Sequence, residues 1–320
     1  MGRNLLILLF LFVSFGATGQ NTGMDLSTSS MIVGNPGMAG VQGGGRLYFS
    51  YKNVYPGNRY NIYSLRAVFD GFFEGIHGGA SLFVTNDKMG GMVNDLRSGF
   101  SYSYHFRAGE DFYVGAGLSA SLFYRGYDFT GAVLPDQIDA VMGVARPSGE
   151  MFVNRSIMRP DISSGVVLMF GNYYAGLSVA HLAQPAISGT DYGETLLRRE
   201  FLANFGGDIE LNEDNGLILK PISAIVLGKE LFSATLGASL EIPQLSVNSL
   251  LIYHNNGYLD LQMGVTATAG AVSLYYNYLF NILSHNNIFS IALHHQVGLS
   301  IGLYNVDKRK SIKTMNFSKI

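Results

Sequence analysis

The residues best suited to chemistry are seven histidines and a scatter of acids, and their spacing offers little for catalysis. His294 and His295 are adjacent, and because neighbouring side chains of a strand point to opposite faces, the pair cannot bind one metal ion. The segment DQID (Asp136–Asp139) lacks the spacing of a calcium loop. The sequence places no histidine beside the loop acids Asp87 and Asp95. We therefore predict that the chain is not an enzyme and needs no metal or other cofactor.

The composition excludes several other classes of protein. Cysteine is absent, which rules out disulfides, iron–sulfur clusters and thiolate metal sites. The formal net charge of −2 gives no basic surface for nucleic acid. Charged residues make up only 14% of the chain, whereas ordinary soluble domains have roughly 25%. Together with 40 glycines and 19 tyrosines, this low charge indicates an outer surface that does not face water.

The first residues have the pattern of a secretory signal peptide. One arginine precedes an apolar run from Leu5 to Phe15, and the small residues Ala17, Thr18 and Gly19 follow it. The alternative is a transmembrane anchor, but the run is too short to cross roughly 30 Å of hydrocarbon. We predict cleavage near Gly19, which would leave Gln20 as the first residue of the mature chain.

Most of the remaining sequence alternates between apolar and polar residues, which is the period of a strand. In FSATLGASL (Phe232–Leu240) the apolar parity holds Phe, Ala and Leu, and the other parity holds Ser, Thr and Gly. Even GAGLSA (Gly115–Ala120), which loosely resembles a dinucleotide-binding loop, lies inside such a strand. About fourteen segments of roughly ten residues follow this pattern, the length that a tilted strand needs to cross a bilayer. Their approximate spans are 45–55, 60–69, 75–85, 95–106, 111–125, 162–170, 172–181, 199–210, 217–227, 231–241, 244–253, 258–267, 270–279 and 288–303.

The connections between these segments distinguish a membrane barrel from a soluble β-sandwich, which also alternates. Short turns follow strands 2, 4, 6, 10 and 12, whereas the long stretches Gly126–Asp161 and Leu182–Arg198 follow strands 5 and 7. Outer-membrane barrels have this asymmetry, with short periplasmic turns and longer external loops. We predict an all-β fold, a transmembrane antiparallel β-barrel of about fourteen strands in the outer membrane. Pro221 requires a bulge or break in its strand because it has no N–H to donate.

The prediction divides the chain into four parts. Residues 1–19 form the signal peptide, and residues 20–44 form a periplasmic or plug-like segment. Residues 45–304 form the barrel, and residues 305–320 form a basic tail.

Several stretches, taken in order, resemble the PorP/SprF membrane proteins of the type IX secretion and gliding machinery of Bacteroidetes. GNPGMAG (Gly34–Gly40) is similar to an Asn-Pro-x-x-Ala-Gly signature, and SLFVTNDKMG (Ser81–Gly90) to an Asn-Asp-Lys-x-Gly strand end. The stretch from Arg159 to Pro185 matches Pro-Asp-x-x-x-Gly, Tyr-Ala-Gly-Leu-Ser and His-Leu-x-Gln-Pro. LSHNNIFSIAL (Leu283–Leu293) resembles the closing Ser-His-Glu strand, although Asn286 stands where Glu is usual. The residues that carry these motifs are Asn35, Pro36, Ala39, Gly40, Asn86, Asp87, Pro160, Asp161, His181, Leu182, Gln184, Pro185 and His285.

The resemblance implies an outer-membrane barrel without catalytic activity, and it makes the motif residues candidates for partner binding. One branch of the family implies binding of periplasmic and lipoprotein subunits of the secretion system. The other implies anchoring of a secreted adhesin through its C-terminal sorting domain. A passive porin or solute channel is the alternative, because six basic residues share the polar parity: Arg46, Lys52, Arg66, Arg97, Arg107 and Arg125.

Two hypotheses concern particular segments. The stretch Asn35–Gly40 either folds into or beneath the barrel mouth or merely leads into strand 1, and its Gly and Pro residues suit a tight turn. The stretches Gly126–Asp161 and His181–Pro185 are expected to form an external surface that faces a partner, because both lie on the long-loop side.

Overall fold

A computed structural model of the chain describes residues 26–54, 62–129, 137–139, 143–144, 155–190, 193–229, 231–255, 257–283 and 294–304. The predicted signal peptide, the basic tail and His285 lie outside these residues. Among the helices in the described ranges, none has both the length and the hydropathy needed to cross a membrane.

The described residues are mostly β-strand. In chain order the strands are β1 (Gly45–Val54), β2 (Ile62–Phe73), β3 (Gly78–Met89), β4 (Val93–Arg107), β5 (Phe112–Tyr127), β6 (Ile138–Asp139), β7 (Gly143–Val144), β8 (Arg155–Phe170), β9 (Tyr173–Ala180), β10 (Ala186–Thr190), β11 (Gly193–Leu196), β12 (Glu200–Gly207), β13 (Ile209–Asn212), β14 (Leu217–Leu227), β15 (Phe232–Glu241), β16 (Leu245–His254), β17 (Leu259–Ala269), β18 (Val272–Leu283) and β19 (His294–Tyr304). One α-helix, α1 (Thr28–Gly34), and two 3-10 helices, Pro36–Met38 and Glu74–Ile76, complete the described elements.

Fourteen of these strands close into one antiparallel ring in the part of the chain that the structure describes. Each ring strand pairs with its neighbour in sequence, and the ring closes where β1 pairs with β19. The hairpin β6–β7 is inserted between β5 and β8, and the hairpin β10–β11 between β9 and β12, so neither belongs to the ring. The predicted fold class is therefore confirmed, and each predicted strand overlaps an observed one.

The alternation of residue types becomes an alternation of environment. On β5, Leu118 is 63% exposed on the outer face, whereas its neighbour Ser119 is 2% exposed and points into the ring. Outward aromatic residues lie near both rims: Tyr173 stacks on Phe205 at one end, and Phe232 contacts Tyr253 edge-on at the other. A band of apolar side chains between aromatic girdles is the outer surface that a bilayer requires.

The two rims of the barrel differ. The chain enters β1 and leaves β19 at the rim that carries the turns β2–β3, β4–β5, β8–β9, β13–β14, β15–β16 and β17–β18. We call this end the short-turn rim and the opposite end the long-loop rim. By the usual asymmetry of outer-membrane barrels, the short-turn rim is expected to face the periplasm.

The predicted external loop Gly126–Asp161 is too long. Strand β8 begins at Arg155, seven residues before the predicted start at Ile162. The extension forms because the long strand β5 continues to Tyr127, which pairs with Arg155. Asp161 is therefore a strand residue that points into the barrel, and only the middle of the predicted loop connects strands.

Pro221 interrupts the sheet in a different place from the one expected. Strand β14, which contains it, is continuous and pairs regularly with β15. The break falls in the preceding strand, between β12 and β13 at Asp208. Gly206 pairs with Ile222 and Ile209 with Leu219, so the register is the same on both sides of the gap. The missing N–H of proline thus removes a ladder bond to its neighbour without shifting either strand.

Candidate functional site: a plug segment and a rim turn

Residues 26–44, which we call the plug segment, lie inside the ring and are almost entirely buried. Their local structure follows from a few capping residues. Ser27 begins α1 by accepting a hydrogen bond from the Ser30 N–H at 3.3 Å, as N-cap residues do. Asn35 ends α1 and caps the 3-10 helix, because its Oδ1 accepts the Gly37 N–H at 3.0 Å. Pro36 follows in the first helical position, where its missing N–H costs nothing.

Glycines on the wall make room for this segment. A Cβ atom on Gly79, Gly117 or Gly165 would overlap Ala39, Pro36 or Asn35 respectively. A Cβ on Gly115 would lie 2.8 Å from the carbonyl oxygen of Gly37. These glycines lie on β3, β5 and β8, so the bare backbone of the wall forms a track along which the motif GNPGMAG runs. The close approach of two backbones, rather than a pore lining, explains glycine at these lumen positions.

Side chains of the wall form hydrogen bonds with backbone groups of the plug segment. Ser178 Oγ donates to the carbonyl oxygen of Gly34 at 2.7 Å. Ser103 Oγ donates to the Gly37 carbonyl oxygen at 2.9 Å, and His105 Nε2 lies 2.8 Å from the Ala39 carbonyl oxygen. Asp70, which is fully buried, accepts the Gly40 N–H at 2.9 Å through Oδ1. Buried backbone groups must find such partners, so these bonds fix the path of the segment.

Apolar contacts hold the same segment on three sides. Met31, Met38 and Val41 pack against Val167, Met169 and Tyr174. Ile32 and Val33 pack against Tyr48, Val68 and Phe83, and Leu26 packs against Leu202, Ile222, Ala224, Val226 and Leu250. The inner wall is therefore apolar where it covers the plug segment.

A second group of motif residues meets at the long-loop rim, in the turn that follows β9. His181 Nδ1 lies 2.7 Å from Asp161 Oδ2, and Arg97 Nη2 lies 3.7 Å from the same oxygen. The Leu182 N–H donates to the carbonyl oxygen of Ile162 at 2.9 Å. His181 and Gln184 both have positive φ angles, of 57° and 46°, which let the chain turn tightly here. The fully buried Asp161 carboxylate thus anchors the turn to β8.

The remaining motif residues lie apart from both groups or, in the case of His285, outside the residues that the structure describes. Asn86 and Asp87 end β3, where Asn86 Nδ2 donates to Asn94 Oδ1 at 2.8 Å and Asp87 accepts from Ser64. Pro160 precedes Asp161 on β8, opposite Leu122. The Leu197 N–H donates to the Pro185 carbonyl oxygen at 2.9 Å, next to the rim turn. The structure therefore forms two clusters from the motif residues and leaves Asn86 and Asp87 elsewhere on the wall.

Several site residues were not identified by sequence reasoning. The sequence places Arg97 with five other basic residues on the polar parity, but in the structure Arg97 contacts Asp161 and donates to Ser121 and Ser163. Arg125 likewise pairs with Asp95, at 2.6 Å. Asp70 and His105 are not among the residues singled out by the family motifs. Their only sequence signal was a polar residue at an inward position, which does not reveal a backbone partner far along the chain.

One catalytic pattern does occur, at GLSIG (Gly298–Gly302). In hydrolases a GxSxG motif forms a sharp turn between a strand and a helix, which exposes the serine. Here the segment lies within β19, and Ser300 is paired with Tyr48 on one side and Ser273 on the other. Within the described residues, no cluster of three or more His, Asp or Glu side chains could hold a metal ion.

Three solved structures with similar architecture are distant from the chain in sequence. Omp33 of Acinetobacter baumannii is 10% identical, with a TM-score of 0.47, and the match covers 82% of this chain and 100% of that one. The toluene transporter TbuX of Ralstonia pickettii is 12% identical, with a TM-score of 0.47 and coverage of 91% and 98%. A FadL homologue of Pseudomonas aeruginosa is 12% identical, with a TM-score of 0.46 and coverage of 89% and 95%. No curated protein sequence matches the chain.

A family model, in contrast, matches most of the chain. It is described as type IX secretion system membrane protein PorP/SprF, and it spans residues 25–308. The match begins one residue before the described plug segment and continues past the end of β19. The plug segment and the closed ring of strands are thus parts of one family unit, and the chain belongs to the PorP/SprF family of type IX secretion outer-membrane barrels.

Proposed function

We propose that the protein acts in type IX secretion by binding a partner through the rim turn at His181–Pro185 and the neighbouring loops. The bound partner is a subunit of the machinery or the C-terminal sorting domain of a secreted adhesin. The stretch Gly126–Asp161 would contribute to the same surface, because Asp161, a residue within β8, holds the turn in place.

The observation that supports binding over passive diffusion is the plug segment. The lumen side of β2–β5, β8 and β9 is covered by residues of the chain itself, held by the hydrogen bonds and apolar contacts described above. Of the basic residues that favoured a porin, Arg97 and Arg125 form ion pairs and Arg66 donates to Ser30 of the plug segment. Basic side chains that are engaged in such contacts do not form a row along which ions are conducted.

The rim turn is suited to a binding role because its conformation is fixed. A single buried carboxylate, Asp161, contacts the turn through His181 and the wall through Arg97. Loops positioned by a rigid scaffold are the usual places for recognition.

Replacing Asp161 by Asn tests the proposal. The variant leaves Arg97 and His181 without their buried anion, which costs about 3–5 kcal/mol when one partner of a buried pair is lost. We expect the turn to loosen and the surface display of a reporter with a type IX sorting domain to fall by about tenfold, equivalent to about 1.4 kcal/mol of binding.

The control is Glu110→Gln in the exposed β4–β5 turn, which lies at the opposite rim. Both variants must be present in the outer membrane at wild-type abundance. Their barrels must also be folded, as judged by heat-modified gel mobility. Normal display by the Asp161→Asn variant would contradict the proposal. Conductance of the wild-type protein in planar bilayers, at the level of an open porin, would favour the channel instead.

A further inference from the structure

A closed barrel has no strand edges, yet one short edge remains at the short-turn rim of this protein. Strand β13 (Ile209–Asn212) pairs with β14 and ends the sheet on its other side. Its neighbour there, β9, begins at Tyr173, which pairs with Gly207, so the ladder stops before β13 starts. An edge of this kind offers backbone groups to another strand.

The direction of those backbone groups follows from the last bond to the β8–β9 turn. The Asp208 N–H donates to the carbonyl oxygen of Asn172 at 2.9 Å, so Asp208 directs its backbone groups toward the β9 side. Backbone direction alternates along a strand, with a period of two residues. Glu210 therefore points its N–H and C=O toward the same side, where the described residues include no strand to receive them.

This edge projects beyond the apolar band. Tyr173 and Phe205 stack at 6.2 Å and mark the interface at this end of the barrel. Glu210 lies five residues beyond Phe205 along the same strand direction, past the aromatic girdle. All four residues of β13 are exposed, including Leu211 at 51%. An exposed leucine beyond the girdle is more useful to a protein partner than to lipid.

The charge of the hairpin is uniform. Glu210, Glu213 and Asp214 are exposed and acidic, and the sequence has no lysine or arginine between Arg199 and Lys220. Lys220 is buried and lies 3.1 Å from Glu241. The turn itself is rigid, because Asn212 Oδ1 accepts the N–H groups of Asp214 and Asn215.

We infer that the β13 edge, with its three acids, binds an extended basic segment of a partner protein by strand addition. Main-chain hydrogen bonds to Glu210 would supply the pairing, and lysines or arginines of the partner would face the acids. The inference rests on the proposed function only in that the protein works by binding, and it identifies the kind of partner at the short-turn rim.

A labelled peptide of ten alternating lysines and valines is the probe, with its glutamate–valine analogue for comparison. Fluorescence anisotropy with the purified full-length mature protein in nanodiscs measures binding at two salt concentrations. We expect the basic peptide to bind and the acidic one not to bind. Absence of binding by the basic peptide would overturn the inference.

Two substitutions at one position separate strand pairing from charge attraction. Glu210→Gln removes only the charge, whereas Glu210→Pro also removes the N–H that faces the free side and leaves the β14 ladder intact. We expect the Kd to rise about threefold for the first and at least about tenfold for the second. Equal effects of the two variants would reduce the site to a charged surface and overturn strand addition.

The matched control lies on the same rim. Glu110→Gln with Asp111→Asn neutralises two acids in the β4–β5 turn, where both strands are fully paired. We expect no change in peptide affinity there, and a loss equal to that of Glu210→Pro would overturn the inference. If the wild-type protein does not bind the basic peptide while adhesin display persists, only this inference is overturned. If display fails in the Asp161→Asn variant while the wild type still binds the peptide, the result concerns only the proposed function.

Discussion

At the scale of single residues, the plug segment fits against the barrel wall because the wall has glycines, without side chains, at the contact positions. Gly79, Gly117 and Gly165 bring bare backbone against Ala39, Pro36 and Asn35. The polar residues beside them, Ser103 and Ser178, donate to carbonyl oxygens of the segment. Small and hydroxyl-bearing residues on the inner face therefore contact the plug segment. This role constrains them more than lining a water-filled lumen would.

Gly117→Ala is predicted to weaken the seat of the plug segment. The new methyl group would overlap the Pro36 carbonyl, which belongs to backbone and cannot move aside as a flexible side chain would. Overpacking of this kind costs about 1–3 kcal/mol. Equilibrium unfolding of the refolded barrel in urea and lipid measures the difference in free energy.

The control for that substitution is Gly302→Ala on β19. A methyl group there would lie 3.6 Å from its nearest neighbour, the Ala271 carbonyl oxygen, so it fits without displacement. We expect its unfolding free energy to stay within about 0.5 kcal/mol of wild type. Equal destabilisation by both variants would show that the strands tolerate no methyl group and that the plug contact is not the cause.

At the scale of elements, strand pairing around Pro221 shows how one residue affects its neighbour. Strand β14 keeps its full ladder with β15, while the strand on the other side divides into β12 and β13. The division leaves Asp208 opposite Lys220, and Asp208 Oδ1 lies 3.8 Å from Lys220 Nζ inside the barrel. The break thus allows a side-chain contact at the point where a backbone bond is missing.

Pro221→Val is predicted to join β12 and β13 into one strand. Valine restores an N–H group in the existing register, and one added hydrogen bond contributes about 0.5–1.5 kcal/mol to stability. Valine also favours the strand conformation. Hydrogen exchange measured by mass spectrometry should show slower exchange in peptides that cover residues 206–210 and 219–223. Faster exchange in those peptides would show that the proline stabilises the wall as it stands.

At the scale of the whole molecule, the barrel and the plug segment are separable in principle. The ring closes through strands that all lie between Gly45 and Tyr304, so its ladder does not require the plug segment. The plug segment in turn contacts wall strands from β1 to β16, which ties distant strands together. Such contacts add stability to a ring that is already closed.

Deletion of residues 26–44 is predicted to leave a folded but less stable barrel with higher conductance. The lost contacts include the fully buried side chains of Met31, Ile32 and Met38, and burying each such side chain contributes about 1.5–3 kcal/mol. Heat-modified gel mobility tests folding, denaturant titration tests stability, and planar bilayers test conductance. Unchanged conductance in a folded deletion variant would contradict the assignment of this segment as a plug.

The sequence by itself determined the barrel, because a period of two with one apolar face is set by local geometry and by the lipid outside. Strand β15 (Phe232–Glu241) shows this, since its prediction as 231–241 needed no distant contact. The sequence also singled out Asn35–Gly40 and Arg159–Pro185 as motif segments, although it left the path of the first one open.

Only the tertiary structure decided what those segments touch. Asp70 and Gly40 are thirty residues apart, and His105 and Ala39 are sixty-six apart, so their hydrogen bonds exist only once the ring has closed around the plug segment. The two-residue alternation predicts that Gly117 faces inward, but it does not predict whether water or backbone contacts Gly117 there. Closure of the barrel fixes that partner, because it brings together residues whose separation along the chain carries no signal.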